Sequence, residues 1–119
     1  MYDTDKRKLL SALCHGAIFF STAGVSIGLP IAILFVTDDP VVKENAKESI
    51  NFHFNVWLYG SILAGLLLFT GWLILPLFVL LPILGVGYLL HWGLTILALI
   101  GVFSNSSEPW RYPLIFRLL

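Results

Sequence analysis

Three histidines stand in otherwise apolar stretches of this chain, and their imidazoles are the groups best suited to chemistry there. At helical spacing His15 shares a face with Ser11 and Thr22, His91 shares one with Tyr88 and Thr95, and His53 lies close to Asn51. An imidazole in apolar surroundings can relay protons, ligate a metal or hold a pigment as an axial ligand. Its commoner use is an interhelical hydrogen bond worth about 0.6 to 2 kcal/mol. No two of the three lie three or four residues apart, and no carboxylate falls within an apolar run to neutralise a cation. A metal site is therefore not expected, and no cofactor is assigned.

The second constellation is the stretch from Asp38 to Asn55. Asp39 is placed to cap a helix that Pro40 opens, because proline at the first helical position gives up an amide that would be unpaired anyway. Read at a spacing of four, Lys43, Lys47, Asn51 and Asn55 form one polar stripe, with Glu44 and Glu48 beside it and Tyr59 extending it. The run from Lys43 to Glu48 reads first as a solvated helix face, and after Asn55 the residues turn apolar. The helix thus starts at a membrane surface, as an amphipathic stretch over about 40–55, and continues through the bilayer.

Catalytic signatures are absent from the sequence. It holds no G-x-S-x-G, no phosphate loop and no H-E-x-x-H, and Gly85-Val86-Gly87 lacks the third glycine of a nucleotide-binding turn. The expectation is a protein that is not an enzyme.

Composition sets the class. The chain has 119 residues, of which 58% are hydrophobic and 12% charged, and its mean hydropathy is +0.90. That is the profile of a membrane protein. Seven basic residues balance seven acidic ones, so nothing attracts nucleic acid. The single cysteine, Cys14, cannot form an internal disulfide.

These side chains must be positioned by helices. The whole chain, 1–119, reads as one transmembrane helical domain with apolar segments at about 9–22, 25–36, 50–70 and 73–103. The first uncharged run, Leu9 to Val36, is longer than the roughly 20 residues of one span. It is interrupted by Gly24, Ser26, Gly28 and Pro30, which leaves two readings, one long tilted helix or, the preferred one, two short or re-entrant segments. It reads as an uncleaved membrane segment, because Asp3 and Asp5 dilute the basic start and no A-x-A site follows. Thr70-Gly71-Trp72 forms the next connection. Pro76, Pro82, Gly85 and Gly87 are expected to kink or break the last apolar run, leaving a cleaner helix from about Val86. The fold class is thus an all-α integral membrane protein, a small bundle of four helical segments. If the first run enters and returns on one side, all seven basic residues share one compartment, and the positive-inside rule places the termini in the cytoplasm.

Several stretches together resemble one family. They are His15-Gly16, Gly28-Leu29-Pro30, the central Lys47-Glu48-Ser49-Ile50-Asn51-Phe52, and the closing Trp110-Arg111-Tyr112-Pro113-Leu114-Ile115-Phe116-Arg117. The chain is similar on these grounds to small bacterial membrane proteins grouped with the twenty-kilodalton subunit of the chloroplast inner-envelope protein translocon, with His53 standing where that family usually has glutamine. The resemblance implies a four-helix membrane protein, and it carries over His15, Glu48, Asn51, Phe52, Arg111, Tyr112, Pro113 and Arg117 as matching positions. Their residue types give them structural roles, Glu48 and Asn51 at the water boundary and Arg111 and Arg117 as head-group anchors or partners for Glu48.

The expected function is an accessory or subunit of a membrane protein complex, related to protein translocation or insertion. The alternatives are a homo-oligomeric small channel or transporter, with Asn51, Asn55, His15 and His91 lining a path, and a pigment-binding or assembly protein using His15 or His91. Expected partners are the lipid bilayer and other membrane proteins, or further copies of the chain. The expected location is the plasma or inner membrane of the cell, with the thylakoid membrane as the other host. Candidate interaction positions are His15, Glu48, Asn51, His53, Asn55, His91, Arg111, Tyr112 and Arg117.

Overall fold

The computed structural model describes residues 2–23, 26–70 and 74–119. Among them the chain is all-helical, with four α-helices and no strand: α1 Thr4–Gly16, α2 Gly28–Val36, α3 Pro40–Thr70 and α4 Ile74–Ser104. Gly24 and the Gly71-Trp72 connection, both used in the sequence reading, lie outside the described residues.

Local chemistry sets the helix starts. Asp3 caps α1 by accepting from the Lys6 amide at 2.8 Å. Asp39 caps α3 by accepting from the Val41 amide at 2.9 Å, with Pro40 at the first position. The same carboxylate takes the Arg7 Nε–H at 2.7 Å, so the start of α1 is tied to the start of α3. After α1 the backbone tightens into a 3-10 turn, Ala17–Ala23, that leaves helical geometry at Phe20 (φ −104°, ψ 18°). This turn lets the first apolar run fold back so that α2 returns to the Asp38-Asp39 end.

The last helix differs from the expectation of a break near its proline and glycines. It runs unbroken from Ile74 to Ser104 with Pro82 inside it. Proline removes one N–H from the ladder, and the remaining bonds of a 31-residue helix carry it through.

α3 is the central element and packs against α1, α2 and α4, while α1 also touches α4. Two small cores result. Cys14, Ile33, Val42 and Ala46 join α1, α2 and α3. Ile18, Phe52, Ala98 and Tyr112 join the 3-10 turn, α3, α4 and the tail that follows α4. Both lie in one part of a molecule measuring 59 × 24 × 21 Å. Beyond them α3 and α4 extend with large apolar side chains exposed, including Leu68, Phe69, Phe78 and Leu89.

Pro40–Thr70 and Phe78–Ser104 are long and apolar enough to cross a membrane. Only 17% and 11% of their apolar windows is buried in the protein, which separates them from core helices of a soluble domain. From Ser49 to Thr70 α3 carries no charged residue and is roughly 33 Å long at about 1.5 Å per residue, close to the about 30 Å of bilayer hydrocarbon.

Gly101 marks where the tail crosses α4. A Cβ there would collide with the Trp110 ring. Gly101→Ala is therefore expected to push Trp110 off its seat, cost about 1 to 3 kcal/mol by overpacking, and move the tryptophan emission. Unchanged emission and stability would show that the ring does not rest on that glycine.

Candidate functional site

α3 holds the tail through side chains at four positions. Asn45, Glu48, Asn51 and Asn55 fall within an arc of about 120° at roughly 100° per residue, and each is no more than 2% exposed. Asn45 Oδ1 accepts from the Trp110 amide at 2.9 Å, and Glu48 Oε1 accepts from the Tyr112 amide at 2.7 Å. Asn55 takes both polar groups of Phe116, accepting from its N–H at 2.9 Å and donating to its carbonyl at 2.7 Å. Asn51 Oδ1 accepts from the amides of Leu118 and Leu119 at 2.9 and 3.2 Å.

The physical reason lies in the tail itself. Residues 109–119 form no helix or strand, so their amides lack the partners that regular structure supplies. Beside apolar helices an unpaired amide is costly, and the carboxamides and carboxylate of α3 act as a substitute edge. The segment runs down α3 to Asn55 and turns back towards Asn51.

Glu48 also neutralises the tail's cation. Arg117 Nη2 donates to Glu48 Oε1 at 2.6 Å and to the Tyr112 carbonyl at 2.7 Å, while its Nε donates to Glu48 Oε2 at 3.0 Å. The hydrogen bond to Glu48 raises the Arg117 pKa further, fixing its charge. Arg111 reaches Glu48 and Glu44 at 3.5 and 3.4 Å, and Lys47 reaches Glu44 at 2.9 Å. The cations of these outer pairs are solvent-exposed, and the pairs contribute little.

A second network joins the tail to α1. Asn45 Nδ2 donates to the Val41 carbonyl at 3.0 Å and to Ser11 Oγ at 3.1 Å. Because Asn45 Oδ1 also accepts from the Trp110 amide, the orientation of this carboxamide is fixed. His15 Nε2, 2.9 Å from that oxygen, must carry the proton. His15 Nδ1 is then the acceptor, and the Tyr112 hydroxyl donates to it at 2.9 Å. Burial, with the Glu48 carboxylate and Cys14 nearby, lifts the Tyr112 pKa well above its ordinary value and keeps the phenol a donor. Tyr112 also stacks on Phe52 with ring centres 4.0 Å apart.

Seven of the nine candidate residues thus meet at one site: His15, Glu48, Asn51, Asn55, Arg111, Tyr112 and Arg117. His53 and His91 do not join them. His53 is fully buried and donates through Nδ1 to the Ser49 carbonyl at 2.9 Å, leaving Nε2 without a partner. His91 lies edge-on to Phe52 and Tyr88. Among the described residues no three His, Cys, Asp or Glu side chains cluster as metal ligands. The stripe at a strict spacing of four needs correction, since Lys43 and Lys47 stay partly exposed while Asn45 and Glu48 take the buried positions. Asn45, which sequence reasoning missed, would have emerged from steps of three, three and four along the helix. Asn51 and Asn55 are occupied by the tail of their own chain.

At the turn of the tail, Leu114 adopts φ 59° and is 92% exposed. A left-handed conformation costs a non-glycine residue about 1 to 2 kcal/mol. Leu114→Gly should therefore leave stability equal or raised by up to about 1 kcal/mol in urea unfolding; a clear loss would mean that the leucine side chain anchors the turn.

The model of the magnetosome magnetite crystal formation protein family matches residues 6–119. The chain belongs to that family. No curated protein and no solved structure matches it. This finding corrects the resemblance drawn from the sequence, because the family is not that of the chloroplast translocon subunit. The motifs behind that resemblance, above all the Asn-Phe core of α3 and the Trp-Arg-Tyr-Pro tail, are the contacting halves of one packing device in this chain. The expectation of protein transport or insertion falls with it, as do the channel, transporter and pigment-binding alternatives.

Proposed function

We propose that the chain serves magnetite crystal formation as a non-enzymatic integral membrane component, with α3 and α4 crossing the bilayer and a charged head on one face. The observation that carries this reading is the segregation of charge. Between Glu48 and Glu108 the chain has no Asp, Glu, Lys or Arg. Arg7–Asp39, Arg117–Glu48 and Arg111–Glu44 bring the charged residues of α1, α3 and the tail together at one end. The sequence between the end of α3 and the start of α4, Thr70 to Ile74, carries no charge.

An iron oxide surface binds carboxylates, and the far end has none to offer. The seven basic residues at the head support a cytoplasmic side for it, by the positive-inside rule. The chain then influences the crystal from across the membrane, through the bilayer and through neighbouring membrane proteins or further copies of itself, and does not template the mineral.

Side-selective labelling tests this. In a Cys14→Ala background, single cysteines at Asp5, Glu44 and Ser106 should all react with an impermeant maleimide on intact magnetosomes. Reaction only after permeabilisation would put the head against the crystal and overturn the reading.

A further inference from the structure

Where the apolar runs meet the charged head, a cavity of about 420 Å3 opens between the start of α1 and the link from α2 to α3. That is within the range of about 300 to 1,000 Å3 typical of small-molecule sites. Leu10, Val36 and Val42 give it an apolar wall, while Lys6, Arg7, Asp38 and Asp39 line its polar side. Arg7 and Asp39 neutralise each other. Lys6 and Asp38 do not: among the described residues neither side chain makes an ion pair.

Two further observations fix the depth and shape of this cavity. Phe35 and Val36 are 82% and 78% exposed, and only the buried Thr37 separates them from Asp38. Such a step from bare apolar to charged residues is what a protein shows at the edge of hydrocarbon. Tyr2 closes the outer side, donating its hydroxyl to the Asp38 carbonyl at 3.0 Å while its ring lies 5.7 Å from the Arg7 guanidinium.

The geometry points to a phospholipid with a primary-amine headgroup, of the phosphatidylethanolamine class, bound in this cavity. Its phosphate meets the Lys6 ammonium, its own ammonium meets the Asp38 carboxylate, and an acyl chain leaves across Leu10 and Val36 towards Phe35. A headgroup carrying only negative charge would satisfy Lys6 but leave the Asp38 carboxylate unpaired and face it and Asp3 across the cavity. A choline headgroup has no N–H to donate to Asp38. This assignment rests on the membrane placement proposed above.

The test uses the full chain in nanodiscs of phosphatidylcholine, alone or mixed with phosphatidylethanolamine or phosphatidylglycerol, with thermal unfolding followed by tryptophan emission. Phosphatidylethanolamine should raise the midpoint by on the order of 5 °C, and phosphatidylglycerol should not. Asp38→Asn and Lys6→Gln, both at exposed positions outside the tail contacts, should each remove that gain. An equal gain with phosphatidylglycerol, or a gain that survives both substitutions, overturns the site. A chain that fails to float with vesicles overturns the membrane placement instead, which keeps the two failures distinct.

Discussion

Glu48→Ala is expected to release the tail and to lower stability by about 3 kcal/mol. The carboxylate is 1% exposed and holds the Tyr112 amide and the Arg117 guanidinium at 2.7 and 2.6 Å. Hydrogen bonds involving a charged group contribute about 1.5 to 3 kcal/mol each, and a buried amide left unpaired adds a desolvation cost of about 1 to 3 kcal/mol. Arg117 is 38% exposed in its side chain, so water recovers part of its loss, which is why the expected total is below the simple sum. Glu48→Gln keeps an acceptor for the Tyr112 amide while losing the charge, so it should fall between alanine and the native residue. Limited proteolysis of the tail together with urea unfolding checks both. A tail equally protected in all three proteins would mean that Glu48 is not what holds it. Released in cells, the tail should leave the charged head disordered, and magnetosomes of the Glu48→Ala strain should hold altered crystals.

Asn45→Leu removes the group shared by α1, α3 and the tail, and a loss of about 3 kcal/mol is expected from it. Leucine has nearly the same shape, so the cost is electrostatic. The His15 Nε2–H and the Trp110 amide both lose their acceptor at a fully buried position, at about 1 to 3 kcal/mol each. Adding His15→Phe should soften the effect, because the imidazole then no longer needs a partner, and the two substitutions should couple by more than about 0.5 kcal/mol. Strict additivity would show that Asn45 and His15 do not bond to one another. The readout is a double-mutant cycle from denaturant unfolding, with Trp110 emission reporting the tail.

Much of the architecture was legible because it depends on local rules. The uncharged run from Ser49 to Ser107 and the balance of charge outside it follow from residue order alone. Asp39 and Pro40 start α3 through a cap that is complete within three residues. A fold-back between Leu9 and Val36 was legible from its length and interruptions. The continuity of α4 through Pro82 was not, because a lone proline removes one bond of the ladder and whether the rest holds depends on the length and packing of the whole helix.

The functional reading failed where a short-range pattern was asked for a long-range answer. Lys47-Glu48-Ser49-Ile50-Asn51-Phe52 and Trp110-Arg111-Tyr112-Pro113 are distinctive stretches, but the family they suggest is the wrong one. Opposite charge makes Arg111 and Arg117 legible as partners for Glu48, as the structure shows; nothing in either stretch says that the tail's amides, more than fifty residues away, pair with Asn45, Asn51 and Asn55.

By itself, then, the sequence determined a helical chain with its charge at one end and two long apolar helices, since hydropathy and caps act over a few neighbouring residues. Only the tertiary structure decided what the buried polar groups are for. An asparagine on a long helix can face lipid headgroups, a partner or its own chain, and these differ only in which unpaired amides come within 3 Å of it. Here the tail turns back along α3, and its own amides fill that place.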